Sequence, residues 1–377
     1  MDFNHTEERQ MLAETLSRYT LQDYPMDARL TAGASETGFS PSKWAELAEL
    51  GVVGALFSED DGGFGGAGHD LAVVFEAIGH GLICEPFLQS GIFAGGILAL
   101  AGSDDQKSRI DALISGEVIG TLAHFEADDG CDTAYIETAG VQAGDGWVLN
   151  GHKAVVRHGA AADFMIVSAR TEGQVGDAGG ISLFMVPKGA AGVELQTYQT
   201  IDGGGAADVN LVDVKLGPEA LIGQAGQAYE TLENALGRGL LALCAEALGI
   251  MDAVKDMTIE YIQTRQQFGV PIGKFQALQH RMAEMLLEIE QARSAVINAA
   301  ALVDGSGVIR ERALSAAKVT IGRVGTLVAE ESIQLHGGIG MTWEHSLGHF
   351  AKRLIVIGHE LGDDDYHLNR YMKLGAA

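Results

Sequence analysis

The spacing of apolar residues changes twice along the chain and divides it into three parts. Across residues 6–120, apolar positions recur at mostly helical steps, and between residues 71 and 78 they follow an i, i+3, i+4, i+7 pattern. Across residues 121–227, the apolar runs are short and are bounded by Gly, Pro or Asp, which is typical of β-strands. From residue 228 the helical period returns in long segments with few breakers. The pattern therefore predicts a helical, a strand-rich and a second helical third.

Each third predicts a domain of its own. The strand signals follow one another without intervening helices, which favours an antiparallel barrel or sandwich over βαβ units. They fall at residues 146–151, 163–168, 181–186 and 209–214. The long helical segments, which suit a four-helix bundle, fall at residues 229–265, 275–303, 309–336 and 344–357. We expect an α+β protein with an N-terminal α-helical domain at 1–120, a middle antiparallel β-barrel domain at 121–227 and a C-terminal four-helix bundle domain at 228–377.

Composition narrows the classes of partner. The 377 residues carry 25 Lys and Arg against 51 Asp and Glu, so the net charge is −26. That charge repels phosphate backbones and anionic lipid surfaces, and it argues against nucleic-acid and membrane partners. The longest apolar runs, such as residues 240–243, are far shorter than the roughly 20 residues of a membrane-spanning helix. The amino terminus has no basic segment followed by an apolar one, so we expect no export signal.

The cysteines and histidines give no sign of a disulfide framework or a metal site. The three cysteines are widely spaced and form no CxxC pair: Cys84, Cys131 and Cys244. The histidines lack metal-ligand spacing such as HExxH. This usage is typical of a reducing compartment. We therefore expect a cytoplasmic protein without a bound metal.

The strongest chemical signal lies at the end of the first long helix of the bundle and is completed some seventy residues later. Thr264-Arg-Gln-Gln-Phe-Gly269 is followed by Phe275-Gln276 and then by Gln334-Leu-His-Gly-Gly338. An Arg at a helix end can pair with a diphosphate, and an amide can read a polar edge. Two consecutive glycines allow the backbone to approach a ligand closely. The spacing favours a flat ligand that carries two phosphates.

These residues resemble the flavin-binding signatures of the acyl-CoA dehydrogenase family, and the resemblance runs along nearly the whole chain. In that family they reach the FAD of a neighbouring subunit and hold its diphosphate and adenine end. The resemblance assigns this role to Arg265, Phe268, Gln276, Gln334, Leu335, His336, Gly337 and Gly338. It implies an acyl-CoA dehydrogenase-like fold, an FAD cofactor, an acyl-CoA substrate of lipid or steroid β-oxidation, a tetrameric assembly and electron-transfer flavoprotein as acceptor.

Two segments of the middle third match the family less well. Residues 125–132 resemble the T-E-P-x-x-G-S-D segment that lies against the flavin ring, and residues 150–159 resemble N-G-x-K-x-W-I-T-N-G. The Thr, Pro and Ser of the first motif and the Trp and Thr of the second are replaced here by Phe125, Ala127, Cys131, Val155 and Arg157. We expect either a degraded flavin-ring pocket or a purely structural hairpin.

The position of the catalytic base is also in question. Desaturation of an acyl thioester needs a carboxylate base for the α-proton and a hydrogen bond to the thioester carbonyl. The family places its Glu either before the Arg of a bundle helix, where Gly237 stands here, or in a Y-E-G-T segment. Alignment on the preceding helix puts Glu360 at the second position, whereas alignment on Gly362 puts Leu361 there. Two weaker candidates lie on the helix of Gly237: Glu233 and Glu246.

The chain end, residues 362–370, and the early segment 83–88 resemble a heteromeric subset of the family, which includes FadE-like chains and the small subunit of pimeloyl-CoA dehydrogenase. In that subset two related chains form α2β2 heterotetramers that act on bulky, steroid-derived or dicarboxylic acyl-CoAs. One chain commonly keeps the base and the flavin pocket, while the other keeps only its contacts to the neighbour. This sequence has the second profile, which favours a partner subunit.

Three alternatives stay open. A self-sufficient homotetrameric dehydrogenase would use Glu360 as its base. A scaffolding subunit would hold its partner without touching catalysis. An acyl-CoA oxidase-like flavoprotein would pass electrons from the reduced flavin to oxygen.

Overall fold

The computed structural model describes residues 6–376, which form two compact units. We call residues 6–28, 67–83 and 240–376 the helical unit, and residues 29–66 and 84–239 the sheet unit. The division between them at residue 240 falls inside one long helix, α8. The domain boundaries at 120 and 227 stay predictions.

The helices occupy both ends of the described sequence. They are α1 Glu7–Gln22, α2 Met26–Gly33, α3 Pro41–Glu49, α4 Gly68–Gly81, α5 Gly96–Ala101, α6 Asp104–Lys107, α7 Ile110–Ile114, α8 Tyr229–Thr264, α9 Gln276–Leu302, α10 Gly307–His336, α11 Leu347–His359 and α12 Asp364–Ala376, with a π-helix at Phe87–Gly95. The four predicted bundle helices are confirmed as α8 to α11. The sequence did not predict α12, because its apolar residues are few and it begins within a run of three aspartates.

The strands lie in the middle of the chain, and two very short ones follow α8. They are β1 Gly120–Ala123, β2 Ala139–Ala143, β3 Gly146–Arg157, β4 Phe164–Arg170, β5 Ile181–Pro187, β6 Val193–Gln199, β7 Gly205–Leu216, β8 Leu221–Ile222, β9 Gln266–Gln267 and β10 Val270–Pro271. The first eight form one sheet in the order β6-β7-β3-β2-β4-β5-β8, with β1 paired to β4.

The sheet is mainly antiparallel, as predicted. The parallel partners of β4 are β2, at the single pair Ala139 opposite Arg170, and β1. This strand pairs with β4 in parallel, from Gly120 opposite Phe164 to Ala123 opposite Val167. A parallel pair needs a long crossover, and the chain between β1 and β4 supplies it with β2, β3 and their loops. The core beneath the sheet is apolar and includes Leu149, Met165, Phe184, Val209 and Val214.

In the helical unit, α4 and α8 cross at a pair of glycines. A Cβ on Gly79 would lie 1.9 Å from the carbonyl oxygen of Glu246, and a Cβ on Gly249 would lie 1.8 Å from that of Glu76. Both distances are far inside van der Waals contact, so only glycine allows the two backbones to touch. The crossing therefore holds the backbone of α8 at Glu246 directly against α4.

Candidate functional site

The first segment of the candidate site is a short hairpin that follows α8. Strands β9 and β10 pair antiparallel, and the backbone N–H of Ile272 donates to the carbonyl of Arg265 at 2.8 Å. Phe268 sits at the tip with a left-handed φ of 54° and 92% of its surface exposed. Its ring meets Phe275 edge to face at 6.2 Å, and Gln276 begins α9 directly afterwards. The hairpin therefore holds Arg265, Phe268 and Gln276 on one local, exposed surface.

The charge of Arg265 is unusual in so acidic a protein. Its side chain is exposed and forms no ion pair with any carboxylate of residues 6–376, although its backbone continues the helix by donating to Tyr261 at 2.8 Å. Guanidinium groups form charge-assisted, often bidentate hydrogen bonds with phosphate oxygens. A phosphate-bearing ligand fits this residue better than any acid that the described chain provides.

The second segment is the end of α10. Gln334, Gly337 and Gly338 are exposed, whereas the side chains of Leu335 and His336 are buried. Gly337 has φ 64° and ψ −142°, a conformation that is essentially restricted to glycine. A Cβ on Gly337 or Gly338 would meet nothing within 4 Å. The turn is open on the side where a ligand would approach, and Leu335 and His336 would contribute through their packing and backbone.

The two segments lie at the same end of the bundle. Tyr261, one turn before Arg265, stacks on His336 with ring centroids 4.5 Å apart and an interplanar angle of 22°. His345 adds a third ring at 5.0 Å from His336. The structure thus brings together the residues predicted at 265–276 and at 334–338, and the open glycine turn with its exposed Arg fits the diphosphate end of FAD.

The segment expected beside the flavin ring satisfies its own polar groups. The Lys153 ammonium donates to the Glu126 carboxylate at 2.7 Å, to the carbonyl of His124 at 2.9 Å and to the Ser168 hydroxyl at 3.1 Å. Glu126 also accepts from the hydroxyl of Thr138 at 2.6 Å and from two backbone N–H groups. All these side chains are buried. The matched Glu and Lys of the two motifs form an internal ion pair.

Burial and charge set the pKa values in this cluster. Burial lowers the pKa of Lys153 to about 8, although Glu126 beside it acts in the opposite direction. Burial raises the pKa of Glu126, but the Lys153 charge and the hydrogen bonds outweigh it, so the net shift is downward. Burial and the Lys153 charge lower the pKa of His124 to about 3. At neutral pH the pair is ionised and His124 is neutral.

Arg157 stands where the resemblance expects a flavin-bonding Thr. Its guanidinium donates to the buried carboxylate of Asp202 at 3.1 Å, and Arg29 donates to the backbone carbonyls of Asp202 and Gly203. Val155 is half exposed and has a left-handed φ of 51°, which is rare for a β-branched side chain. Neither residue offers the hydroxyl or the indole that the family places there.

Glu360 ends α11 and its carboxylate is paired. Arg353, two helical turns earlier, donates to it at 2.9 Å and also makes a two-pronged contact with Glu246 at 2.6 and 2.8 Å. The backbone N–H of Glu360 closes the helix by donating to Val356 at 3.0 Å. A carboxylate that acts as a base must reach the α-proton of the substrate, whereas this carboxylate is held by the Arg353 guanidinium. Whether Glu360 acts as a base stays a prediction.

The loop after Glu360 is held from several sides. The fully buried Lys318 donates to the carbonyls of Gly358 and Gly362. His367 donates through Nε2 to the carbonyl of Leu361 at 2.8 Å, and Leu361 itself has a left-handed φ of 56°. These contacts leave little freedom for Glu360 to turn toward a substrate.

The other base candidates are no better placed. Gly237, at the first family position, has no side chain. Glu233 accepts from the Tyr229 hydroxyl at 3.4 Å. Glu246 is committed to Arg353.

Sequence reasoning missed Tyr261, Lys318, Arg353 and His367. Two of these had a readable signal, since Tyr261 lies four residues before Arg265 and Arg353 lies seven before Glu360, on the same helix face in each case. His367 lies within the 362–370 motif, but its partner, the carbonyl of Leu361, leaves no side-chain pattern. Lys318 had no signal at all, because its partners are backbone carbonyls of a distant loop.

Three family models match consecutive parts of this chain. They are the acyl-CoA dehydrogenase N-terminal domain at residues 6–117, the middle domain at 121–214 and the C-terminal domain at 229–373. The chain belongs to the acyl-CoA dehydrogenase family. Members of this family are FAD-dependent oxidoreductases that dehydrogenate acyl-CoA thioesters.

Individual relatives are distant in sequence but similar in structure. A probable acyl-CoA dehydrogenase, YngJ of Bacillus subtilis (strain 168), is 28% identical over 367 residues, which is 95% of this chain and 96% of the relative. The steroid acyl-CoA dehydrogenase Tcur3481–Tcur3483 is 28% identical with a TM-score of 0.88, and each chain is covered to 98%. The ChsE4–ChsE5 complex from Mycobacterium tuberculosis is 26% identical with a TM-score of 0.90, covering 100% of this chain and 99% of that chain.

Membrane-spanning helices and metal-binding clusters are both absent from residues 6–376. No helix in this range combines the length and the apolar character needed to cross a bilayer. The same range holds no cluster of three or more His, Cys, Asp or Glu side chains arranged to bind a metal ion.

Proposed function

We propose that this acyl-CoA dehydrogenase chain is the partner subunit of a heteromeric enzyme and completes the flavin site of a homologous neighbouring chain. The observation that carries the proposal is a contrast within the chain. The segments around Arg265 and Gly337 are exposed, and the Arg265 guanidinium pairs with no carboxylate of residues 6–376, whereas Glu360 is tied to Arg353 and Gly237 provides no base.

In this role, Arg265 would pair with the diphosphate of FAD, and Gln276 and Gln334 would donate or accept hydrogen bonds along its polar edge. Gly337 and Gly338 would allow the ligand to approach the backbone, and Phe268 would cover it with an apolar ring. When bound, FAD accepts the hydride that leaves the β-carbon of the acyl-CoA. The proton from the α-carbon would be removed by a carboxylate of the neighbouring chain.

The class of substrate follows from the same family position. Similar structures include a steroid acyl-CoA dehydrogenase made of two named chains and the ChsE4–ChsE5 complex. We propose a bulky, steroid-derived or dicarboxylic acyl-CoA as the substrate and electron-transfer flavoprotein as the acceptor. We also propose a cytoplasmic location, which three free cysteines support.

The testing experiment is to purify this chain alone and together with co-expressed homologous chains, and to record the visible flavin spectrum of each preparation. The proposal expects a chain that is colourless alone, and a heteromer that carries flavin and is bleached by an acyl-CoA. Stoichiometric flavin that is bleached in the chain alone would establish the self-sufficient homotetramer and overturn the proposal. Fast reoxidation of the reduced flavin by air would indicate the oxidase.

Substitution separates the partner role from scaffolding. Arg265→Ala in the heteromer should lower flavin retention if this chain completes the site. Arg323→Ala is the matched control, because Arg323 is also an exposed arginine of the bundle but pairs with Glu288. Equal flavin content in the two variants would mean that the chain only scaffolds its partner.

A further inference from the structure

The stacked rings of Tyr261 and His336 lie between the two flavin-facing segments. Tyr261 belongs to α8 and lies one turn before Arg265, while His336 is the last residue of α10 and directly precedes Gly337. Their centroids are 4.5 Å apart at 22°. No other ring contact among residues 6–376 joins the ends of these two helices.

The orientation of the His336 ring is fixed. Its Nδ1 lies 2.8 Å from the carbonyl oxygen of Ser332, and because a carbonyl can only accept, Nδ1 carries the proton. Burial lowers the pKa of His336, opposed by the bond to Ser332, and His345 at 5.0 Å lowers it further. The neutral ring therefore presents a bare Nε2 that is buried and finds no donor within the described chain. A 180° flip of the His336 ring would break its one hydrogen bond, so the orientation of the ring is fixed.

The stacked rings of Tyr261 and His336 connect two segments that are far apart in the sequence. The backbone N–H of Arg265 donates to the carbonyl of Tyr261, so the position of Tyr261 sets where the hairpin starts. The N–H of Gly337 donates to Gln334 and Ile333, so the glycine turn starts where His336 ends. A change in the stack would move Arg265 and Gly337 relative to each other.

We propose that Tyr261 and His336 are positioning residues, which set the separation between the Arg265 guanidinium and the Gly337–Gly338 turn and thereby the fit for the diphosphate end of FAD. The inference rests on the proposed flavin role of this surface. Neither side chain touches the cofactor in this scheme, since His336 is buried and Tyr261 acts through its backbone and ring.

The expected effect is on affinity for the cofactor. A displacement between two groups that hold one ligand weakens their hydrogen bonds to it, and the loss of one charge-assisted hydrogen bond lowers affinity by about tenfold or more. We expect Tyr261→Leu and His336→Leu to raise the Kd for FAD at least about tenfold. Tyr261→Phe and His336→Phe keep the flat ring and should stay within about threefold of the unaltered protein.

The experiment uses the flavin-containing assembly, whether heteromer or homotetramer, stripped of FAD and titrated with it while flavin fluorescence is followed. Val254→Ala is the matched control, because Val254 is a fully buried residue of the same helix and its truncation lowers the Tm without touching the stack. The proposal expects the Leu variants to bind FAD more weakly than Val254→Ala at a comparable Tm. Equal Kd values for the Leu variants and Val254→Ala would overturn it.

Arg265→Ala in the same titration separates the two proposals. If Arg265→Ala leaves the Kd unchanged, the flavin role of the surface fails. If Arg265→Ala weakens FAD binding while the Leu variants do not, only the positioning role fails. Should a Leu variant not fold, His336→Gln removes a ring and Tyr261→His keeps one, so FAD binding should weaken in the first and stay nearly unchanged in the second.

Discussion

The end of the bundle, at residues 265–276 and 334–338, carries one half of the family's flavin signatures. The sheet segments at residues 125–132 and 150–159 carry the other half. The polar side chains of the two regions differ in whether they find partners within the chain. At the bundle end, Arg265 has no acid partner among residues 6–376, and a Cβ on Gly337 would meet nothing within 4 Å. In the sheet, Lys153 and Glu126 form a buried ion pair and are also hydrogen-bonded to neighbouring groups. The first region is an exposed surface that can bind a ligand, and the second is a buried, internally paired part of the fold.

The residues of the two family motifs serve different purposes in this chain. The Glu and Lys of the sheet motifs are needed by the fold, because an unpaired buried charge is costly. At the bundle end, by contrast, the Arg265 guanidinium pairs with no carboxylate of residues 6–376, and the open side of the Gly337–Gly338 turn has no neighbour within 4 Å, although Gly337 also ends α10. Their presence is explained by a ligand, and this asymmetry supports a partner role.

The largest expected effect on stability comes from breaking the buried Lys153–Glu126 ion pair of the sheet. Lys153→Met leaves the Glu126 carboxylate buried without its cation, and should lower the free energy of unfolding by about 3–5 kcal/mol in urea titrations. Flavin retention at the bundle end should not change in the protein that remains folded. The double variant Lys153→Met/Glu126→Gln removes the orphaned charge and should recover much of the loss. A cost below about 1 kcal/mol for Lys153→Met would mean that water reaches the cluster.

The second effect concerns acid stability and the loop after Glu360. Burial, together with Lys318 and Arg370, lowers the pKa of His367 to about 4 from an ordinary value of 6.5, despite its bond to Leu361. The unfolded chain therefore binds this proton more tightly, and stability falls as the pH drops from about 6.5 to 4, by roughly 3 kcal/mol over the window.

The check is urea unfolding across that pH range for the unaltered protein and His367→Gln. His124 acts in the same direction, since its pKa is lowered to about 3, so the difference between the two proteins isolates His367. The acid limb should be shallower in His367→Gln. Parallel pH profiles would show that His367 is not the titrating group.

The third effect belongs to the ligand-facing region. Arg265→Ala removes one or two charge-assisted hydrogen bonds to phosphate and should weaken FAD binding about 10–100-fold. Because Arg265 is exposed and pairs with no acid in the described part of the chain, the Tm of the flavin-free protein should shift by less than a degree or two. A large drop in Tm would place Arg265 in the fold and weaken the contrast with Lys153.

The sequence predicted the fold well because its evidence is periodic and local. The apolar spacing found α8 to α11 and four of the long strands, and the spaced Arg265 and Gly337–Gly338 motifs pointed to one end of the bundle. It did not predict the parallel strand β1, whose partner lies some forty residues away. Nor could it predict Lys318, because backbone carbonyls leave no pattern in the side-chain sequence. Glu360 was a candidate from alignment alone, and only the structure shows that Arg353 pairs with it and with Glu246 at the same time.

The smallest effect on stability decides the role of Glu360. In Glu360→Gln, Arg353 keeps its two-pronged pair with Glu246, so the free energy of unfolding should fall by less than about 1 kcal/mol. In the heteromer, turnover should stay unchanged, because the proposed base belongs to the neighbouring chain. If Glu360 were the base, turnover would fall at least about 100-fold. Glu246→Gln is the contrast: it breaks the two-pronged contact and should cost more stability than Glu360→Gln, so a variant that loses stability without losing turnover identifies the cluster as structural.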